Sequence, residues 1–152
     1  MSPAQKRAWA LAAVLCAAVL ILDHAIKAAI ENELVPGEQV NLLGPLALTL
    51  AHNEGVAFGL AGGSTLPLIA FAVLALGFVG FLLARNPDVP RMWMAVGLVA
   101  GGALGNLVDR LRAGEVTDYV EVGSWPPFNL ADVAITVGVA LFAAILLREE
   151  SR

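Results

Sequence analysis

The sequence predicts an all-α membrane protein: four transmembrane helices with a small β-sheet on the extracytoplasmic side. Three observations predict it. The 152 residues are 59% hydrophobic and 14% charged, with mean hydropathy +0.78, whereas a soluble domain is about 45–50% apolar and about 25% charged. Four stretches approach the roughly 20 apolar residues that cross a ~30 Å hydrocarbon core as helix. The basic residues gather at alternate ends of those stretches, as they do in chains that thread a bilayer. Such a length accommodates a single membrane domain over residues 1–152.

Composition also excludes other classes. Disorder requires low hydrophobicity and high charge. One cysteine, Cys16, forms no internal disulfide framework, and two histidines with one cysteine make no Cys/His zinc site within one chain. A net charge of −4 and a pI near 5.0 lack the basic face of a nucleic-acid binder.

The first span runs from about 9 to 30: Trp9 to Leu22 is uncharged, and Asp23, His24 and Lys27 follow. The second covers about 65–84 and the third about 92–108, both uncharged, the third ending at Asp109-Arg110. The fourth covers about 128–147 and has one charge near its start, Asp132. Lys6, Arg7, Arg85, Arg91, Arg148 and Arg152 fall on one side, and only Arg110 and Arg112 on the other. The positive-inside rule then makes both termini cytoplasmic. The first span has the basic start of a signal peptide, but no small-x-small cleavage site follows it. Cys16 is preceded by bulky Leu15 and reads as a buried packing residue rather than a lipidation site.

The outer segments, about 31–64 and 109–127, are acidic. Gln39 to Ala51 is rich in Leu and Val around the turn signal Gly44-Pro45, which predicts two short strands lying against the membrane surface. Gly97, Gly101 and Gly105, with Gly102, form a small-residue ladder on span three that permits close helix packing. No internal repeat is visible, and the matched interrupted helices of a repeat-built transporter are absent.

Charged groups inside a span cost roughly 2.5–3.5 kcal/mol, so they mark function by default. Here four parts of the chain bring polar groups to one level, the outer boundary: Asp23 and Lys27; Asn106, Asp109 and Arg110; Asn129 and Asp132; and Asn53 in Asn53-Glu54-Gly55-Val56-Ala57-Phe58. Each has a simpler reading. Asp23 and Lys27, four residues apart, form a structural pair on one helix face. Arg110 complements the dipole at a helix C-terminus. His24 and His52 sit at the interface without metal-ligand spacing. Asn53 and Gly55 form a turn, and Glu115 and Glu121 are solvated. A proton-coupled transporter is the main alternative function, but it calls for acidic residues at the midplane. A non-catalytic scaffold is the other.

Asp118 and Asp132 stand apart. They lie 14 residues apart, and Gly123 and Pro126-Pro127 break any continuous helix between them. The chain can turn back there and bring both to the membrane edge. Asp132 falls in the first turn of span four, where the dipole favours a carboxylate. Asp118 lies among Val116, Tyr119 and Val120. Two adjacent carboxyls share a proton, so one can activate water and the other can protonate a leaving amine. No Gly-x-Ser-x-Gly elbow competes with them.

In this order the motifs closely resemble those of lipoprotein signal peptidase (signal peptidase II), a bacterial membrane aspartyl protease family. They are Asp23-x-x-x-Lys27, Asn53-x-Gly55-x-Ala57-Phe58, Gly101-Gly102-Ala103-Leu104-Gly105-Asn106-Leu107-Val108-Asp109-Arg110, Gly114-x-Val116-x-Asp118-Tyr119 and Phe128-Asn129-Leu130-Ala131-Asp132. The resemblance covers essentially the whole chain. It implies a four-helix bundle with an outer β-cradle and an outer helical segment over the site. It also implies that Asp118 and Asp132 are the catalytic pair, and that Asn53, Asn106, Arg110 and Asn129 position substrate or dyad. Asp23 and Lys27 would be structural, Gly55 supporting, and Asp109 would order the segment carrying Asp118. His24, Ile26, Thr117 and Tyr119 depart from the family's usual residues without removing a catalytic group, and the short connection from Asp118 to Asp132 limits any outer extension. The substrates implied are diacylglyceryl-modified prolipoproteins, cut before the lipidated cysteine. No cofactor or metal is implied. The enzyme would be a monomer among the lipids of the bacterial cytoplasmic membrane.

Overall fold

The computed structural model describes residues 1–55 and 65–150. Four helices, α1 (Pro3–Glu33), α2 (Leu66–Arg85), α3 (Met92–Ala113) and α4 (Leu130–Glu150), are long and apolar enough to cross a membrane. Between them lie strands β1 (Gln39–Leu43), β2 (Leu46–Asn53), β3 (Val116–Val122) and β4 (Trp125–Phe128), forming one antiparallel sheet in the order β1-β2-β3-β4.

Local chemistry sets the helix ends. Ser2 accepts from the Gln5 N–H at 3.1 Å and Pro3 occupies the first turn, so α1 starts well before the apolar run. At the other end α3 outlasts its apolar run by a full turn, to Gly114. That residue takes φ +83° and closes the helix through its N–H on the Arg110 carbonyl. Asp109 and Arg110 are therefore helical residues.

Helix α3 is the hub, flanked by α1, α2 and α4, and its glycines explain how the neighbours approach. A methyl group at Gly97 would lie 2.9 Å from the Ala12 carbonyl, and one at Gly101 would lie 2.7 Å from Val19 Cβ, both on α1. At Gly102 it would collide with the Ala131 carbonyl of α4. Gly138 returns the relation from α4: its added methyl would meet Val99 at 2.6 Å. An apolar core of Ala8, Ala12, Leu83, Met92, Ala95, Val96 and Ile145 closes the end away from the sheet.

The two expected strands within Gln39–Ala51 are β1 and β2, joined at Gly44-Pro45. Strand β2 continues to Asn53, so Asn53 is a strand residue that enters a turn rather than a turn residue alone. The chain between Asp118 and Asp132 is a β-hairpin, and Phe128 belongs to β4 rather than to the fourth span. The two hairpin tips are tied by the Gly123 N–H on the Pro45 carbonyl at 2.8 Å. Among the described residues of the outer segments there is no helix over the sheet; Val56, Ala57 and Phe58 of the Asn53 motif lie outside the described residues.

Candidate active site

Asp118 and Asp132 come together where the sheet meets the start of α4. Asp118 is in mid-β3 and 2% exposed. Opposite it on β2 is Ala51, while Asn53 pairs with Val116. Asn53 and Asp118 are thus diagonal neighbours on one sheet face, within side-chain reach. The Asn53 amide donates to Asp118 Oδ2 at 3.0 Å, and the small Ala51 leaves the space open.

Asp132 sits in the first turn of α4, and every early N–H of that helix has a named acceptor. Leu130 N–H donates to the Tyr119 hydroxyl at 3.0 Å. Ala131 N–H donates to Asp23 Oδ1 at 3.0 Å, and Asp132 N–H to Asn129 Oδ1 at 2.9 Å. Val133 N–H reaches the Asn129 carbonyl at 3.3 Å. Asp132 Oδ2 in turn accepts from Asn129 N–H at 3.2 Å, a reciprocal capping box. This fixes Asp132 by backbone geometry at the positive end of the dipole.

Three asparagines then aim their NH2 groups at the two carboxylates. Asn129, fully buried, donates to Asp118 Oδ1 at 2.7 Å while its oxygen caps α4. Asn106 donates to Asp132 Oδ1 at 2.7 Å while its oxygen receives Asn129 at 3.2 Å and Lys27 Nζ at 3.3 Å. The Asn53 oxygen accepts Gly55 N–H at 2.8 Å, which leaves its NH2 for Asp118. In each case a donor on the amide oxygen sets the direction of the amide. Gly55 is itself required at its turn: φ is +78°, and a methyl there would collide with Leu68.

Burial pushes the Asp118 carboxyl up from 3.8 to about 6; the Asp132 charge adds to the rise, and hydrogen bonds from Asn53 and Asn129 oppose it. Burial likewise lifts the Tyr119 phenol to about 12, so its hydroxyl remains a neutral partner for Leu130.

Behind this site is an ion cluster. Lys27 Nζ lies 2.6 Å from both Asp23 and Asp109, and Lys27 and Asp23 are 3% and 0% exposed. The pair expected on one helix face is therefore real, and it does more: Asp23 caps α4 while Lys27 orients Asn106. Asp109 bonds Lys27 and faces His24 at 3.5 Å. Thr117 ties β3 to α1, donating to Glu31 at 2.6 Å. Arg110 turns back to the Asn106 carbonyl at 3.3 Å and forms no ion pair with either aspartate. His24 and His52 line a separate polar cavity of about 430 Å³ with Glu31, Arg112 and Glu115.

Sequence reasoning missed Tyr119 and Thr117 as anchors. The signal was present: both fall on the face of β3 opposite Asp118, by the strand's alternation.

The model for the family described as signal peptidase (SPase) II, Peptidase_A8, matches residues 15–148. The chain belongs to the signal peptidase II family. The lipoprotein signal peptidase of Pelotomaculum thermopropionicum is 40% identical over 142 residues, covering 91% of this chain and 93% of the relative. That of Moorella thermoacetica is 40% identical over 131 residues, covering 85% and 87%. A solved bacterial membrane enzyme, determined in meso at 2.3 Å, superposes with a TM-score of 0.83 at 28% identity, over 92% of this chain and 89% of that one. As a signal peptidase II, the protein is a multi-pass membrane protease that removes signal peptides from prolipoproteins. Family membership sets aside the transporter and scaffold alternatives.

Proposed function

We propose that this signal peptidase is an aspartyl endopeptidase in which Asp118 and Asp132 are the catalytic pair. The observation that carries the reading is the single Asn129 side chain bonded to both: its NH2 on the Asp118 carboxylate and its oxygen on the Asp132 backbone. The substrate is a prolipoprotein whose cysteine already carries diacylglycerol, and the bond cut precedes that cysteine. The ionised carboxylate removes a proton from water, whose oxygen attacks the scissile carbonyl. The other carboxyl holds the shared proton and polarises that carbonyl; the amine nitrogen is protonated as the C–N bond breaks. A carboxyl with a pKa of about 6 exchanges its proton readily near neutrality. The pair titrates as a unit, so the proton belongs to both.

Asn53, Asn106 and Asn129 hold the dyad, and Arg110 supplies positive charge to the same region. No metal or organic cofactor takes part. The sheet end faces the extracytoplasmic side of the bacterial cytoplasmic membrane, with both termini in the cytoplasm, and the enzyme acts as a single-domain monomer. Lipid chains then remain in the bilayer while the amide reaches the boundary.

The test is a gel-shift assay on a diacylglyceryl-modified prolipoprotein. Wild type should cleave it. Asp118→Asn and Asp132→Asn should each reduce turnover at least about 1,000-fold while remaining folded, as loss of an acid–base group does. Wild-type turnover in either variant would remove the dyad assignment.

A further inference from the structure

One line of polar contacts reaches the dyad from the cavity of about 430 Å³. It starts at His24, near the C-terminal end of α1. The ring is fixed at one nitrogen: Nδ1 lies 3.1 Å from the Leu20 carbonyl, one turn back on the same helix. A carbonyl oxygen only accepts, so Nδ1 carries a proton. The other nitrogen, Nε2, is buried and has no hydrogen-bond partner among the described residues. It faces Asp109 Oδ1 at 3.5 Å. A neutral ring would turn the Nε2 lone pair towards that carboxylate, whereas a second proton makes the contact an ion pair. Lys27 stands between Asp23 and Asp109, so two carboxylates share one ammonium, and an imidazolium at His24 balances the group. The other acids on the cavity have partners elsewhere. Glu31 of α1 accepts from Thr117 of β3, and Glu115, just before β3, faces His52 of β2 at 3.8 Å. Arg112 of α3 is the remaining charge, a cation like the imidazolium.

We infer that His24 is a positioning residue for the peptidase: its imidazolium holds Asp109 and, through Lys27 and Asn106, sets the hydrogen bond on Asp132. The inference rests on the dyad reading above. The path is continuous. Asp109 Oδ2 accepts from Lys27 Nζ at 2.6 Å, Lys27 Nζ donates to Asn106 Oδ1 at 3.3 Å, and Asn106 donates to Asp132 Oδ1 at 2.7 Å. The lysine has three protons for three acceptors, Asp23, Asp109 and Asn106, and Asn106 is the farthest of them. With a neutral His24, Asp109 has no second cation and draws Lys27 towards itself at the expense of Asn106. With an imidazolium, Asp109 is shared between two cations and Lys27 keeps its hold on Asn106. The amide of Asn106 then stays aimed at Asp132. Asp109, Lys27 and Asn106 stand between His24 and the dyad, so the effect falls on kcat rather than on KM.

The test compares full-length wild type with His24→Gln, which offers Asp109 a neutral donor at every pH, and with His24→Leu, which offers none. Turnover of a diacylglyceryl-modified prolipoprotein is followed against pH in detergent micelles, and thermal unfolding at each pH checks folding. In parallel, NMR of histidine-labelled enzyme reads the titration of the His24 ring, its signal assigned by its loss in His24→Gln. In wild type, kcat should fall with rising pH along the curve on which the His24 ring loses its proton. In His24→Gln that fall should be missing and the decline should come at higher pH, while kcat at the optimum stays near wild type. In His24→Leu, kcat at the wild-type optimum should be about tenfold lower with KM unchanged, the size of one hydrogen bond to a charged group. Identical pH profiles in wild type and His24→Gln, a ring that titrates apart from kcat, or loss of folded His24→Leu protein with kcat intact would each overturn the inference. If Asp118→Asn and Asp132→Asn cleave as well as wild type, the dyad reading itself fails and the role of His24 falls with it.

Discussion

At Asp118 two asparagine–carboxylate contacts decide chemistry that the aspartate alone does not. An isolated buried carboxyl would be pushed up by burial without limit from its neighbours; here Asn53 and Asn129 each donate to one oxygen and hold the value to about 6. This has a consequence for stability. Folded Asp118 keeps its proton up to about pH 6, while a free carboxyl releases it near 3.8. Between those values the folded state binds more protons, so Asp118 stabilises less as pH rises and the full penalty is present above pH 6. Asp118→Asn carries no such charge. Its stability relative to wild type should shift in its favour by up to about 3 kcal/mol between pH 4 and pH 7. Unfolding in detergent at several pH values measures this, and a pH-independent difference would show that folding leaves the Asp118 pKa unshifted. The residues of this site were readable as a set of polar groups at one depth, because charge in a span is rare. Their division of labour was not. The Tyr119 cap on α4 depends on the fold of the β3–β4 hairpin, and the Lys27–Asp109 pair on the packing of α1 against α3, so neither follows from residue order alone.

Among the elements, α3 shows why glycine spacing was informative and apolar length was not. The ladder Gly97, Gly101, Gly105 and Gly102 marks the faces on which α1 and α4 approach, as small residues do in membrane helices. Gly102 is the most demanding of them, because the atom it meets is the Ala131 carbonyl, one residue before Asp132. Gly102→Val should therefore destabilise the protein by about 1–3 kcal/mol and lower turnover as well, by displacing the first turn of α4. Gly77→Ala, on α2, has nothing within 4 Å of the added methyl, and helix propensity alone should stabilise it by up to about 1 kcal/mol. Thermal unfolding of the two variants separates packing from propensity. Hydropathy, by contrast, ended span three at Val108 because it measures affinity for lipid. The helix itself continues until a residue can adopt the left-handed conformation, which Gly114 does. The hairpin β3–β4 was legible only as a reversal at Gly123 and Pro126-Pro127, since Val116–Val122 carries buried groups on both faces and lacks a clean alternation.

Across the molecule, the dyad is supported from α1 as much as from its own segments. Lys27 joins Asp23 and Asp109, and Asp23 holds the start of α4. Removing the cation leaves Asp23 buried without a counter-charge and Asp109 without its lysine, and an unpaired buried charge costs about 3–5 kcal/mol. Lys27→Met should accordingly lower the yield of folded protein more steeply than the turnover of each folded molecule. Size-exclusion recovery set against specific activity checks this, and normal recovery with lost turnover would give Lys27 a role in the chemistry. The four-helix layout, the outer strands and the meeting of Asp118 with Asp132 followed from hydropathy, turn signals and motif order; the way the parts lean on one another did not, because it depends on contacts between residues up to 108 positions apart. The asparagines carry one more meaning at this scale. Two ionic systems lie close together, Lys27 with its carboxylates and the Asp118–Asp132 pair, and Asn106 and Asn129 stand between them. A water or a hydroxyl in that layer would form a relay through which the working proton could drain to the structural carboxylates. An amide donates a hydrogen bond yet does not release its proton, so the layer conducts position and blocks charge. On the proposed chemistry, the two asparagines would hold the shared proton of the pair apart from the Lys27 salt cluster.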